Sequence, residues 1–189
     1  MTGMRFRREW FLVIAFFVIM GMVLYKKMQS PQGPTLVYSA SNGEFPAPPL
    51  QLHDHRSRMT RLAAYQGRHP ILVVFYLASQ GPDHHALLLD LRKRFEEFQK
   101  RGIKILAVSA ATPYYNREAF KRGGDFPFSF LSDPTLQAHS AWRTFDTERT
   151  QPRQSAFLID RRGIVKAVLT KDQFPTTAEE LLKQFDEWN

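Results

Sequence analysis

The longest apolar stretch of the chain comes near its start. Trp10 to Tyr25 reads WFLVIAFFVIMGMVLY, with Arg5, Arg7 and Arg8 before it and Lys26 and Lys27 after it. At about 1.5 Å rise per residue this run is a little short of the ~20 residues that span a hydrocarbon core, but terminal aromatics and snorkelling Lys and Arg extend it. The pattern predicts a single membrane-anchoring helix over 10–27 behind a short cytoplasmic N-terminus, 1–9. A cleaved secretory signal would need small residues just beyond the run, where Lys26, Lys27 and Met28 stand. The greater positive charge ahead of the run keeps the N-terminus inside and sends the remainder across. In a bacterium that is an inner-membrane protein with its domain in the periplasm. Residues 28–49, with Pro31, Pro34, Pro46, Pro48 and Pro49, read as a tether.

From residue 50 onward the periodicity changes repeatedly. Ile71 to Leu77 (ILVVFYL) is a continuous apolar run, too short for a helix and rich in β-formers, as expected of a strand covered on both faces. Gly81, Pro82 and Asp83 break it, with Asp83 placed to cap the next helix. From His84 to Lys100, Leu88, Leu91, Phe95 and Phe98 recur at helical spacing among charged residues, and Gly102 ends the pattern. Ile103 to Ser109 is a second buried strand, which makes a strand, helix, strand unit. A weaker helix follows over Tyr115 to Lys121, then a short one around Leu136 to Trp142. Ser155–Ile159 and Ile164–Leu169 flank Asp160, Arg161, Arg162 and Gly163 as a hairpin. Thr176 and Glu179 have capping-box spacing before Leu181, Leu182, Phe185 and Trp188, which share one helical face. The order is that of an α/β, thioredoxin-like fold over 50–189: a central mixed sheet flanked by helices, preceded by the transmembrane helix.

Composition removes whole classes of chemistry. The chain has no cysteine, which excludes disulfides, thiolate nucleophiles, iron-sulfur clusters and thiolate zinc sites. The net charge of +8 would admit anionic partners, but the basic residues are scattered beside acidic ones. No nucleic-acid motif appears, so no nucleic-acid partner is expected.

Several segments carry a resemblance. Leu50 to His55 with Leu62 to Arg68, Phe75-Tyr76, Ala107 to Ala110, Phe126-Pro127-Phe128 through Leu131-Ser132-Asp133-Pro134, and Phe157 to Asp160 with Gly163 stand in order. Over about Leu50 to Leu169 the chain resembles the alkyl hydroperoxide reductase and thiol-specific antioxidant family, the peroxiredoxin-like redoxins of the thioredoxin superfamily. The resemblance implies antioxidant or oxidoreductase activity centred on a cysteine at a helix N-terminus.

That cysteine is missing. Where redoxins read Trp-Cys-Pro-x-Cys, this chain has Gln80, Gly81, Pro82, Asp83 and His84. The peroxiredoxin pattern Pro-x-x-x-Thr-x-x-Cys falls on Leu77, Gly81 and His84. The family arginine falls near Arg153 or Gln154, with Gln154 the closer match, and the thioredoxin-type proline has only the offset Pro152. An imidazole at His84 does not replace the thiol, because it cannot pass through sulfenic acid to a disulfide. No catalytic residue is expected; Gly81, Pro82, Asp83 and His84 are degenerate active-site positions.

Other groups remain as candidates. His53 and His55 alternate on a strand and, with His84 and His85, could hold a divalent metal such as copper; the plainer reading is of surface histidines. Arg92, Lys93, Arg94, Lys100 and Arg101 could touch anionic groups, or simply pair with Glu96 and Glu97 on a solvated face. Tyr114, Tyr115, Trp142 and Phe145 could line a peptide groove or sit in the core. Asp125, Asp133, Asp146 and Glu148 show no spacing for paired-carboxylate catalysis. The expectation is a tethered, cofactor-free scaffold that binds an unidentified protein partner, with histidine-based metal handling as the alternative.

Overall fold

The computed structural model of the chain describes residues 20, 43–79, 81–170 and 173–187. The expected anchor and most of the tether lie outside the described residues, as do Gln80 and Trp188. Among the described residues no helix is long and apolar enough to cross a membrane.

Within the unit Ser39–Asn189 the strands are β1 (Phe45–Pro46), β2 (Gln51–Asp54), β3 (Met59–Arg61), β4 (Ile71–Phe75), β5 (Lys104–Ser109), β6 (Ser129–Ser132), β7 (Phe145–Asp146), β8 (Gln151–Pro152), β9 (Ser155–Ile159) and β10 (Ile164–Thr170). The helices are α1 (Ala86–Lys93), α2 (Phe95–Lys100), α3 (Pro113–Gly123), α4 (Gln137–Ala141) and α5 (Ala178–Asp186). The described residues form an eight-stranded sheet in the order β1-β10-β9-β4-β5-β6-β2-β3, with β7 and β8 paired apart from it. β4, β5 and β6 run parallel, while β9 is antiparallel to β4 and β2 antiparallel to β6.

The apolar run at β4 does what its composition demands, since all five residues are buried. Leu72, Val74 and Tyr76 meet Leu88, Leu91, Phe98, Leu181 and Phe185 on one face. Ile71, Val73 and Phe75 meet Leu62, Trp142, Phe157 and Val165 on the other. At roughly 1.5–3 kcal/mol for each large side chain removed from water, these two layers dominate the stability of the fold.

Tertiary contacts move several boundaries. The expected helix over 84–100 is two helices, bent at Arg94 (φ −99°, ψ 15°), and the apolar positions on both sides still face the sheet. The C-terminal capping box is shifted by one residue: Thr177 is the N-cap and accepts from the Glu180 amide, while Glu180 reaches back to the Thr176 amide. The Ala178 amide donates to the Asp90 carboxylate of α1 at 2.7 Å, and this fixes where the first turn begins. α3 is longer than expected because Thr112 caps it and Pro113 opens it.

The end of the expected tether belongs to the sheet. Phe45 and Pro46 pair with Val165 and Ile164, and the Ala47 amide donates to the Gly163 carbonyl. Two residues of ladder need no apolar periodicity, so the proline-rich composition concealed them.

Candidate functional site

The C-terminal ends of β4, β5 and β6 are where open α/β sheets present ligand sites, and Gly81, Pro82, Asp83 and His84, the four positions expected to be degenerate, lie there, between β4 and α1. Gly81 has φ +69°, which favours glycine, and a Cβ on it would stand 2.6 Å from Asp83 Oδ1 and displace that carboxylate. Asp83 does not cap α1; the N-cap is His85, and its side chain makes no capping bond. The Asp83 carboxylate is committed elsewhere, 3.3 Å from Arg122 Nε on α3 and 3.4 Å from His84 Nδ1. A Cβ on Gly123 would lie 2.7 Å from Asp83 Cβ. Asp83 is thus wedged between the loop and α3.

The two adjacent histidines diverge. His84, at the position where the resemblance places the reactive cysteine, is 78% exposed in its side chain. His85 is buried against Tyr76 and Phe174, ring centroids 5.9 and 6.2 Å away. Burial holds its pKa below the usual imidazole value.

Beneath the loop is a connected set of buried polar groups that pattern reading did not find. Tyr76 Oη donates to Asn116 Oδ1 at 2.9 Å, Asn116 Nδ2 donates to Ser132 Oγ at 2.9 Å, and Ser109 Oγ lies 3.5 Å from Asn116 Oδ1. Burial pushes the Tyr76 phenol far above its ordinary value, so the network is neutral and does not exchange protons near neutrality. The available signal was Asn116 itself, a polar residue on the same helical stripe as Ala119 and Phe120.

The opposite face of the sheet holds a second buried polar set. Asp133 and His139 are both fully buried, with His139 Nδ1 2.7 Å from Asp133 Oδ2, and the same oxygen accepts from the His139 amide at 2.8 Å. Burial alone would raise the Asp133 carboxyl; the His139 ring and amide outweigh it and hold it below the usual carboxylate range. Asp133 Oδ1 and His139 Nε2 have no hydrogen-bond partner among the described residues. The resemblance marked Asp133 but nothing in the spacing pointed to His139.

The expected metal set does not assemble. His53 is exposed on β2, whereas His55 lies just past the strand, buried and stacked on Phe120 with ring centroids 4.2 Å apart. With His84 in solvent and His85 in the core, the four side chains do not converge, and among the described residues no group of three His, Cys, Asp or Glu could hold a metal ion. The aromatic groove also separates. Tyr114 and Tyr115 are exposed on α3, while Trp142 is in the core beneath Phe75 and Phe157.

The basic cluster is largely self-satisfied. Arg92 donates to the Gly123 carbonyl and stacks on Phe126, Arg94 pairs with Glu97 and Glu179, and Arg101 pairs with Asp186. The Arg153 guanidinium donates to the Arg143 carbonyl. Gln154 is half-buried before β9. Pro152 sits in β8, and no cis peptide occurs among the described residues.

Comparison with known proteins agrees with this architecture. The model of the AhpC/TSA family matches residues 44–168. Among curated proteins, the chain is 27% identical over 145 residues to chloroplastic peroxiredoxin Q of Sedum lineare, covering 74% of this chain and 76% of that protein. It is 28% identical over 123 residues to chloroplastic peroxiredoxin Q of Oryza sativa subsp. japonica, covering 65% of this chain but only 56% of the rice protein. Among solved structures, peroxidoxin BcpB of Mycobacterium tuberculosis superposes with a TM-score of 0.69 at 16% identity, over 78% of this chain and 98% of that one. The last likeness is one of fold.

Proposed function

Because the chain belongs to the AhpC/TSA family and yet contains no cysteine, we propose that it is a redox-inactive thioredoxin-fold module, anchored in the membrane, that holds a protein partner in the cell envelope. One observation carries the reading: His84, at the position where the resemblance places the reactive cysteine, presents its imidazole to solvent. Peroxide reduction by this family's route needs a thiolate to attack the peroxide oxygen and become a sulfenic acid. No side chain here can take that step. Asp83, His85 and the Tyr76–Asn116 network occupy the space beneath the loop, and none of them carries a thiol. The apolar run Trp10–Tyr25 with its basic flanks supports the anchor, and the asymmetry of those flanks supports a periplasmic domain.

The test has two arms. Purified full chain is mixed with hydrogen peroxide or an alkyl hydroperoxide and a thiol reductant, and consumption is expected at the rate without protein; turnover above that rate would overturn the reading. Crosslinking in the native membrane from a photoreactive residue placed at His84 is expected to trap one discrete protein, and absence of any adduct would remove the partner.

A further inference from the structure

Apart from Met20, the large apolar side chains exposed among the described residues are Met59, Tyr114 and Tyr115, with Tyr114 68% exposed. Met59 and Tyr114 lie at one edge of the fold; Tyr115, two residues before Arg117, is on the other flank of α3, the flank of Arg122 and Asp83. Arg117 donates from Nε to the His55 carbonyl at 3.2 Å and from Nη2 to Ser57 Oγ at 2.9 Å, so α3 is fastened to the turn between β2 and β3. Tyr114 precedes Arg117 by three residues and Lys121 follows it by four, which puts all three on one stripe of the helix beside that turn. Met59 opens β3 opposite His53, and His53 is level with Ser132, the partner of Asn116 on α3.

The rim of this patch is basic. Arg56, Arg58, Arg61, Arg117 and Lys121 are exposed around it. The nearby acidic groups are Asp54, buried beneath the turn and bonded to Arg58, and Glu118, paired with Lys121. Met59 and Tyr114, the latter with an apolar body and a polar tip, ringed by Arg and Lys, match the headgroup layer of an anionic bilayer.

We propose that this edge, the β2–β3 turn with the first turns of α3, rests on anionic lipid headgroups. The inference rests on the anchor reading above. The anchor supplies a bilayer at high local concentration, and this favours lipid over a diffusing acidic protein. Reach permits the contact. The patch is at the β3 edge and the chain enters the domain at the β1 edge, about 34 Å apart for flat strands at ~4.8 Å spacing. The segment from Tyr25 to Gly43 extends to about 60 Å at ~3.3–3.6 Å per residue.

The cysteine-free chain makes the test direct. Full chain bearing a fluorophore at Met59→Cys, or at Lys183→Cys on α5 as control, is reconstituted in nanodiscs of phosphatidylcholine with or without phosphatidylglycerol, and quenching by headgroup-level spin-labelled lipid is read. Position 59 is expected to be quenched several-fold more than position 183, only in the anionic discs, with loss in high salt and in the double variant R56E/K121E. Deleting residues 29–38 leaves a reach of about 27 Å and is expected to abolish the quenching while the chain stays in the disc.

Weak quenching at 59 in anionic discs with the chain incorporated would overturn the inference and leave the anchor standing. Failure to incorporate would overturn both. Equal quenching at 59 and 183, or quenching indifferent to lipid charge, would overturn the specific surface. A label at 59 that ignores lipid but is shielded by added polyglutamate would assign the patch to an acidic protein instead.

Discussion

The two faces of the sheet each bury a polar cluster, and the clusters are built on opposite terms. On the α3 face, Tyr76, Asn116, Ser109 and Ser132 are neutral and share hydrogen bonds around one amide. On the α4 face, Asp133 and His139 are ionisable, are bonded mainly to each other, and each leaves one atom without a partner among the described residues. A neutral, shared network distributes the cost of losing any member, whereas an ionisable pair concentrates it in one contact. The neutral network is itself indifferent to pH, whereas the pair is tied to it through the Asp133 carboxyl.

Breaking the pair is the largest test of that contrast. Asp133→Ala removes the acceptor of both the His139 ring and its amide, and the expected loss is about 2–6 kcal/mol, as for two buried donors left unsatisfied at ~1–3 kcal/mol each; urea denaturation of the full chain measures it. A loss under ~1 kcal/mol would mean that His139 finds another acceptor and the contrast collapses. Next in size, Asn116→Ala should cost about 1–3 kcal/mol by leaving buried hydroxyls unpaired. The same titration with Asn116→Ser, which keeps a donor and an acceptor, should recover part of it.

Packing at the loop comes third. Gly123→Ala puts a Cβ 2.7 Å from Asp83 Cβ and 3.2 Å from its Cα, and because the backbone must move, about 1–3 kcal/mol is expected. Hydrogen exchange of residues 81–86 should rise with it, and unchanged protection would show that Asp83 does not hold the loop.

The smallest effect is in the pH profile. Burial lowers the pKa of His55 and His85, and Arg56, Arg58 and Arg117 act with burial on His55 while Asp54 opposes them. The unfolded chain, with histidines near ~6.5, protonates first as pH falls, so stability is full above about pH 6.5 and declines below it. Asp54 and Asp133, both lowered in the fold, add a second loss below about pH 4, where unfolded carboxyls take up protons. His55→Phe should flatten the first slope and leave the second. A denaturant midpoint measured from about pH 2 to about pH 8 distinguishes the two, and an unchanged first slope would assign it to His85.

Much of the fold could be read before any coordinates. The runs at β4 and β5, the hairpin of β9 and β10, and the apolar stripe of α5 are periodic signals strong enough to survive context. β6 was not read because four residues beside Gly and Pro carry no period of their own, and their strand character comes from lying between β5 and β2. The helix caps were read one or two residues off. Asp83 had the right chemistry for a cap, but Arg122 claims its carboxylate, and Thr176 yielded to Thr177 because Asp90 fixes the next amide.

The histidines show the limit most clearly. His53 and His55, or His84 and His85, are near-identical in sequence context, and in each case one member is exposed and the other buried. What the chain alone determined is its family, the succession of its main strands and helices and the absence of any thiol nucleophile, since those depend on residue type and periodicity. Which polar groups are buried, and with whom they pair, was decided by Phe120, Phe130, Phe174 and Asp133 arriving from distant segments. Burial and partnership are properties of the assembled neighbourhood, and no single stretch of sequence contains that neighbourhood.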